Sequence, residues 1–229
     1  HCGSVSVEYR KKGESGHGMR SVSAKRHMKF VKGMDLSTLL ELERCGAKYY
    51  DNGEERDLLA IMKSYDVDTI RIRLWNDPWS ETGESYGAGE NDLKTSLEIA
   101  KRVTAAGFGV LLNFHYSDFW ADPGKQIKPK AWQKLRGEAL ETAVYLHTVN
   151  TRKALKNHKP IPKMGPVGNE ITKGLLWPDG YVEQTENMAR LLRAGIRGVR
   201  EECPGAGIVL HLDFGTNNEL YRQWFVKMD

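Results

Sequence analysis

TIRIRLW, Thr69 to Trp75, reads as a strand with two unlike faces. Ile70, Ile72 and Leu74 make one face apolar, while Arg71, Arg73 and Trp75 share the other. Charge on an inner strand face needs a polar interior to receive it. Working outward, GVLLNFHY forms a second strand opening at Gly109, VGNEI marks a short strand end near Val167, and IVLHL, Ile208 to Leu212, forms another strand. Segments of helical period separate them. Leu93, Leu97, Ala100 and Val103 recur on one face from about Asp92, with Asn91 placed to cap that helix and Gly107 to end it. A longer helical region spans about Lys130 to His158. A third carries Met188, Leu191, Leu192, Gly195 and Val199 and stops at Pro204 and Gly205, and a last one begins near Asn218. Strand and helix alternating through crossovers this long means parallel strands in an α/β fold. A barrel and an open sheet both fit this order. At about 46 residues per unit, a complete eight-unit barrel would take roughly 370 residues, so this chain has room for about five units.

The composition, 40% hydrophobic and 28% charged, is that of an ordinary globular domain and excludes disorder, collagen and coiled coil. No run of about 18 uncharged apolar residues occurs, so neither a spanning helix nor a membrane partner is expected. Much of the net charge of +4 sits early, in Arg10, Lys11, Lys12, Arg20, Lys25, Arg26 and Lys29. These charges are diluted with Gly, Ser and His and show no helical period. Residues 1–29 therefore read as a basic flexible leader rather than a nucleic-acid-binding element, and residues 30–229 as one domain. Cys2, Cys45 and Cys203 are odd in number and lack a CxxC pair, which fits neither a disulfide framework nor a zinc site. The opening HCGSVSVEYRKK shows no signal-peptide core.

Four clusters fall just past strand C-termini, the end at which α/β barrels place their active sites. They are Arg71, Arg73, Trp75, Asn76 and Asp77; His115, Tyr116, Ser117, Asp118 and Trp120; Asn169 and Glu170; and His211 with Asp213. Aromatic faces stack on sugar C–H surfaces while amides and carboxylates grip hydroxyls, so such clusters suit a carbohydrate. A phosphate ligand is disfavoured, because no Gly-rich loop with Lys and Ser/Thr is present. Glu170, at a strand end among Asn169, Trp177 and apolar neighbours, suits a general acid; as a bare GNE motif it reads more readily as a surface ion-pair residue.

The segments VKGMDLSTLLELE near Val31, KYYDNGEERDLL near Lys48, IRIRLWNDPW at Ile70, NFHYSDFWADPGKQIKPKAW at Asn113, VGNEITKGLLWPDG at Val167 and LYRQWF at Leu220 carry a family likeness. Over roughly Phe30 to Phe225 the chain resembles glycoside hydrolase family 53, the endo-β-1,4-galactanases. The resemblance implies a (β/α)8 TIM barrel of clan A type, of which this chain holds about the first five units. It also implies retaining cleavage of β-1,4-galactan, the side chain of type I arabinogalactan in pectin, by a secreted or cell-surface monomer.

Retention needs two carboxyls about 5 to 5.5 Å apart. The family pattern places the acid/base at Glu170 after Asn169, and a nucleophilic glutamate at the end of a seventh strand, beyond Asp229. On the same resemblance Arg73 reaches the nucleophile, with Arg71 beside it, and His115 hydrogen-bonds near the reacting sugar. Trp75, Trp79, Trp120 and Trp177 are candidate platforms, and Asn76, Asp77, Tyr116, Asp118 and His211 candidate substrate contacts. No cofactor is implied; the calcium of some family members would use residues of the later strands. Pro166 falls in the expected fourth strand, where its missing N–H breaks a ladder bond. Two alternatives remain: a galactan-binding protein without turnover, and a clan relative acting on mannan or cellulose.

Overall fold

The computed structural model describes residues 30–157 and 162–228, so the leader expected over residues 1–29 lies outside the described residues. The elements run β1 (Gly33–Asp35), α1 (Leu39–Arg44), β2 (Tyr50–Asp51), β3 (Glu54–Glu55), α2 (Leu58–Ser64), β4 (Thr69–Leu74), α3 (Leu93–Ala105) and β5 (Gly109–Phe114). Then follow α4 (Gly137–Asn157), β6 (Met164–Pro166), β7 (Gly174–Leu175), β8 (Gly180–Tyr181), α5 (Thr185–Glu202), β9 (Gly207–Val209) and α6 (Asn218–Met228). Five strands form one parallel sheet in chain order, β1-β4-β5-β6-β9, and two small antiparallel pairs, β2-β3 and β7-β8, decorate it. Parallel neighbours in chain order, joined by helical crossovers, match the alternation expected from sequence.

Alternation decides what each face of the sheet meets. On β4, Ile70, Ile72 and Leu74 are fully buried in one apolar cluster with Ile99, Ala100 and Val103 of α3 and with Val110, Leu112 and Phe114 of β5. Arg71, Arg73, Asn113 and, just past β5, His115 follow the opposite alternation. The register pairs Asp35 with Arg71 and Arg73 with Asn113, so polar side chains from neighbouring strands meet in rows. β6 pairs with β5 at Leu111–Met164 and again at the Phe114–Val167 bridge, with Pro166 in the interval that lacks ladder pairing. That interruption is the one expected from the missing N–H.

Three boundaries differ from the sequence reading. Asp92, not Asn91, caps α3, its carboxylate accepting from Thr95 N at 2.7 Å. The helix expected from Lys130 begins at Gly137; Lys130–Trp132 is a separate 3-10 turn after Pro129. The last strand covers Gly207–Val209 rather than reaching Leu212, because Leu210 onward turns into the loop that carries His211.

α5 approaches both the sheet and α4 closely, and glycine permits it. A Cβ on Gly195 would lie 2.6 Å from Val167 Cγ1 and 2.7 Å from the Tyr116 hydroxyl, and one on Gly198 would lie 2.8 Å from Thr148 Cβ. Beneath this contact His147 packs edge-on against Phe114, Tyr116 and Trp132, and its Nε2 is buried with no hydrogen-bond partner among the described residues. Burial drives its pKa from 6.5 down to about 4. An unfolded histidine takes up a proton near pH 6.5, which the folded chain refuses until about pH 4. Stability is therefore intact above pH 6.5 and falls as the pH drops from 6.5 to 4, by about 3 kcal/mol in all. Urea titrations at pH 7 and pH 4.5 check this: His147→Met should lose that part of the acid sensitivity, and an unchanged difference between the two pH values would contradict it.

Candidate active site

The C-terminal ends of all five sheet strands contribute polar side chains to one place. Asp35 comes from β1, Arg71 and Arg73 from β4, Asn113 and His115 from β5, Asn169 and Glu170 from the turn after β6, and His211 and Asp213 from the loop after β9. Asn169 lies at the centre and is 3% exposed. Its Oδ1 accepts from Arg71 Nη2 at 2.7 Å and faces His211 Nδ1 at 2.9 Å, and its Nδ2 donates to the Ala121 carbonyl at 2.7 Å.

The Asn113 amide has two orientations. In one its Nδ2 donates to Asn169 Oδ1 at 2.8 Å. Turned over, its oxygen accepts from Arg71 Nη2 at 2.8 Å and His115 Nε2 at 3.2 Å while its nitrogen donates to the Gly168 carbonyl at 3.2 Å. Asn169 Oδ1 favours the first, since the turned oxygen would face it at 2.8 Å, whereas His115 favours the second. Its Nδ1 accepts from Trp75 Nε1 at 3.1 Å and from Ala121 N at 3.4 Å, so the ring proton of the neutral imidazole sits on Nε2 and needs an acceptor. Burial first, then the positive charges of Arg71 and Arg73, hold the His115 pKa well below 6.5. Both effects favour the neutral ring, with Nε2–H as its donor.

Arg71 Nη1 donates to Asp35, and its other terminal nitrogen reaches Asn169. Arg73, favoured from sequence as the arginine reaching the nucleophile carboxylate, is buried. Its guanidinium packs 4.3 Å from the Trp120 ring centroid, with Nε 3.9 Å from Asp35 Oδ1. The arginine that contacts Asn169 is therefore Arg71.

Glu170 stands next, with φ +50° and ψ 49°, a left-handed backbone that a residue other than glycine adopts at a cost of about 1–3 kcal/mol. Strain of this kind persists where the surroundings over-determine it. Burial raises the Glu170 pKa, and the carboxylates of Asp213 and Asp122 raise it further, against a smaller opposing effect of Arg71. Both Asp213 oxygens are buried without a hydrogen-bond partner among the described residues. A pKa shifted upward is the direction that proton donation to a leaving oxygen requires.

Several sequence candidates take other places. Trp75 is 0% exposed, its ring covered by Phe119 at 4.8 Å and Trp120 at 5.6 Å, so it has no face for a sugar. Tyr116 is fully buried on the helix side, its hydroxyl 2.8 Å from Thr148 Oγ1, and burial raises its pKa. Asp118 is a loop clasp, accepting from Asp77 N at 3.0 Å and Lys130 N at 2.7 Å. Asp77 is exposed and pairs with Lys130 at 3.1 Å; Asn76 is half-buried, its N–H donating to the Ser117 carbonyl. Trp79 donates to Asp92 Oδ2 at 3.3 Å. Trp120 and Trp177 keep partial exposure; Trp177 stacks on Tyr181 at 4.6 Å and donates to the Lys173 carbonyl.

Sequence reasoning missed Asp35 and Gln126. Asp35 sits in a strand of three residues, too short to announce itself, and Gln126 is a lone amide in a loop. No group of three or more His, Cys, Asp or Glu among the described residues could hold a metal ion, and Cys45 and Cys203 are free thiols. No helix among them is long and apolar enough to cross a membrane. An open cleft of about 720 Å³ on the outer face of α5, lined by Arg190, Arg193, Arg197 and Arg200, contains none of the strand-end residues.

The family model of glycosyl hydrolase family 53 matches residues 31–229. The chain belongs to glycosyl hydrolase family 53. An endo-β-1,4-galactanase of Bacillus subtilis is 41% identical over 192 residues, covering 83% of this chain and 43% of that protein. An arabinogalactan endo-β-1,4-galactanase of Humicola insolens is 34% identical over 200 residues, covering 86% and 58%. The structure of the Ignisphaera aggregans GH53 catalytic domain superposes with TM-score 0.83 at 44% identity, covering 87% of this chain and 55% of that one. A structure from a study of two fungal β-1,4-galactanases gives TM-score 0.78 at 35% identity, covering 86% and 58%. The chain spans about half the length of the relatives it matches. Its five parallel strands are accordingly part of the (β/α)8 barrel of this family.

Proposed function

We propose that the protein is a glycosidase that hydrolyses internal β-1,4-galactosidic bonds in galactan, with Glu170 as general acid/base. The observation that carries this reading is the Asn169–Glu170 turn: a carboxyl on a strained left-handed backbone at the strand ends, its pKa raised by burial, beside an amide held by Arg71 and the Ala121 carbonyl. The names of the Bacillus and Humicola relatives supply the substrate. In the retaining course Glu170 gives its proton to the glycosidic oxygen as the C1–O bond breaks, while a second carboxylate attacks C1 from the other side. Glu170, now ionised, then takes a proton from water, and that water displaces the enzyme carboxylate from C1. The second carboxylate belongs, on the family pattern, to a seventh barrel strand. Asn169 retains a second N–H on Nδ2 for the sugar 2-hydroxyl, and Arg71 holds Asn169 in place.

Trp177 and Trp120 serve as sugar platforms in this reading, and His211 lines the site through Asn169. A polysaccharide of this size cannot cross a membrane, so the protein acts outside the cell on the galactan side chains of pectin. Product release from β-1,4-galactan, β-1,4-mannan and cellulose by the full-length protein tests the reading. Galacto-oligosaccharides should dominate; preference for either of the other two, or binding of galactan without release, would overturn it.

A further inference from the structure

Gln126 lies in the loop after β5, flanked by the Asp122–Lys125 and Ile127–Trp177 bridges, and is 2% exposed. Its Nε2 stands 2.7 Å from the Asn169 carbonyl oxygen, 3.3 Å from that of Asp122 and 3.4 Å from that of Glu170. Three acceptors around one end of the amide settle that this end is the nitrogen. The backbone carbonyl of Gln126 in turn accepts from Trp177 N at 2.7 Å. A single residue thus bonds the turn that carries Glu170 and the loop that carries Trp177. Glu170 needs such a restraint. Its left-handed φ of +50° would relax if the peptide were free, and the Cα–Cβ direction, which sets where the carboxyl points, would swing with it.

We propose that Gln126 is a positioning residue for Glu170: its amide pins the Asn169–Glu170 peptide and so aims the Glu170 carboxyl at the glycosidic oxygen. Gln126 is itself buried, and its amide nitrogen is taken up by backbone carbonyls. The inference rests on Glu170 being the general acid, and it deepens that assignment by naming what orients the acid.

A misaimed acid has a specific kinetic signature. A sugar leaving group needs the proton as its bond to C1 breaks, whereas a dinitrophenolate leaves without one. The experiment compares kcat/KM, which reports that first bond cleavage, for β-1,4-galactan and for a dinitrophenyl β-1,4-galactobioside in the full-length protein. Two variants are used: Gln126→Met, similar in length but without the donor, and Gln126→Glu, similar in shape but with an oxygen facing three carbonyls. Galactan cleavage should fall about 100-fold in both, with the aryl substrate much less affected. Equal losses on the two substrates, unchanged kinetics, or loss of the native near-UV circular dichroism in both variants would each overturn the proposal. Failure of the underlying reading looks different: Glu170→Gln would then keep its activity on galactan, or the unsubstituted protein would cleave neither substrate, and the proposal would fall with it.

Discussion

Glu170→Gln is expected to lower kcat/KM on β-1,4-galactan by about 10²–10⁴-fold, and to do so without loss of fold. Gln is a neutral isostere of the protonated acid, so it occupies the same left-handed turn and preserves the packing beside Asn169. It also relieves the neighbouring Asp213 and Asp122 of a like charge. The sign of the stability effect follows. A glutamate whose pKa is raised by folding costs the folded state stability as the pH rises above its ordinary value. The variant should therefore melt at the same temperature as the parent in acid and slightly higher near neutrality. Reducing-sugar release and thermal melts at pH 4 and pH 7 check both statements. A variant that keeps its activity sinks the assignment of Glu170. The raised pKa also places the alkaline limb of the parent's pH–rate profile above the usual carboxylate range.

Asn169→Ala carries the second large effect, on stability and activity together. The side chain is 3% exposed, and its removal strips Arg71 Nη2 and His211 Nδ1 of an acceptor and the Ala121 carbonyl of a donor. Orphaning these groups should cost about 2–4 kcal/mol of unfolding free energy. Galactan kcat/KM should fall about 10²–10³-fold, because the contact to the 2-hydroxyl strengthens at the transition state. Asn169→Asp separates the two losses. It keeps an oxygen for Arg71 and His211 but places a carboxylate beside Glu170, so it should raise the Glu170 pKa and move the alkaline limb upward. Denaturation by urea and a pH–rate profile measure these shifts; an Asn169→Ala protein as active as the parent would contradict the account.

The parts of this fold that alternation specifies were legible in the sequence. β4 alternates apolar and polar positions throughout and β5 from Leu112 to Phe114, and both stand where expected. β1 has three residues, and no period can be read from three. The split of the Lys130 helix was hidden because Lys130–Trp132 and Gly137–Asn157 share helix-forming composition; what separates them is a turn through Gly137 with φ +49°.

At the site, residue type identified the strand-end clusters but not the direction of each side chain. Trp75 falls on the same strand face as Arg73, and it was buried by Phe119 and Trp120 folding back from another loop, a long-range event with no local signal. Tyr116 was readable: it alternates with His115 and stacks on Phe114 at 5.7 Å, on the helix side. That Arg71 is the arginine in contact with Asn169 had no local signal, because the Asp35 it also binds lies in a strand that was not visible.

The central claim is that Glu170 is the acid/base of a retaining galactanase, and chemical rescue tests it most directly. Glu170→Ala in the full-length protein removes the base that activates water in the second step but leaves the attack on C1 intact for an aryl substrate with a good leaving group. Azide, which needs no base, should then restore turnover of dinitrophenyl β-1,4-galactobioside and yield the β-galactobiosyl azide. Absence of rescue, or formation of the α-azide, would contradict the claim.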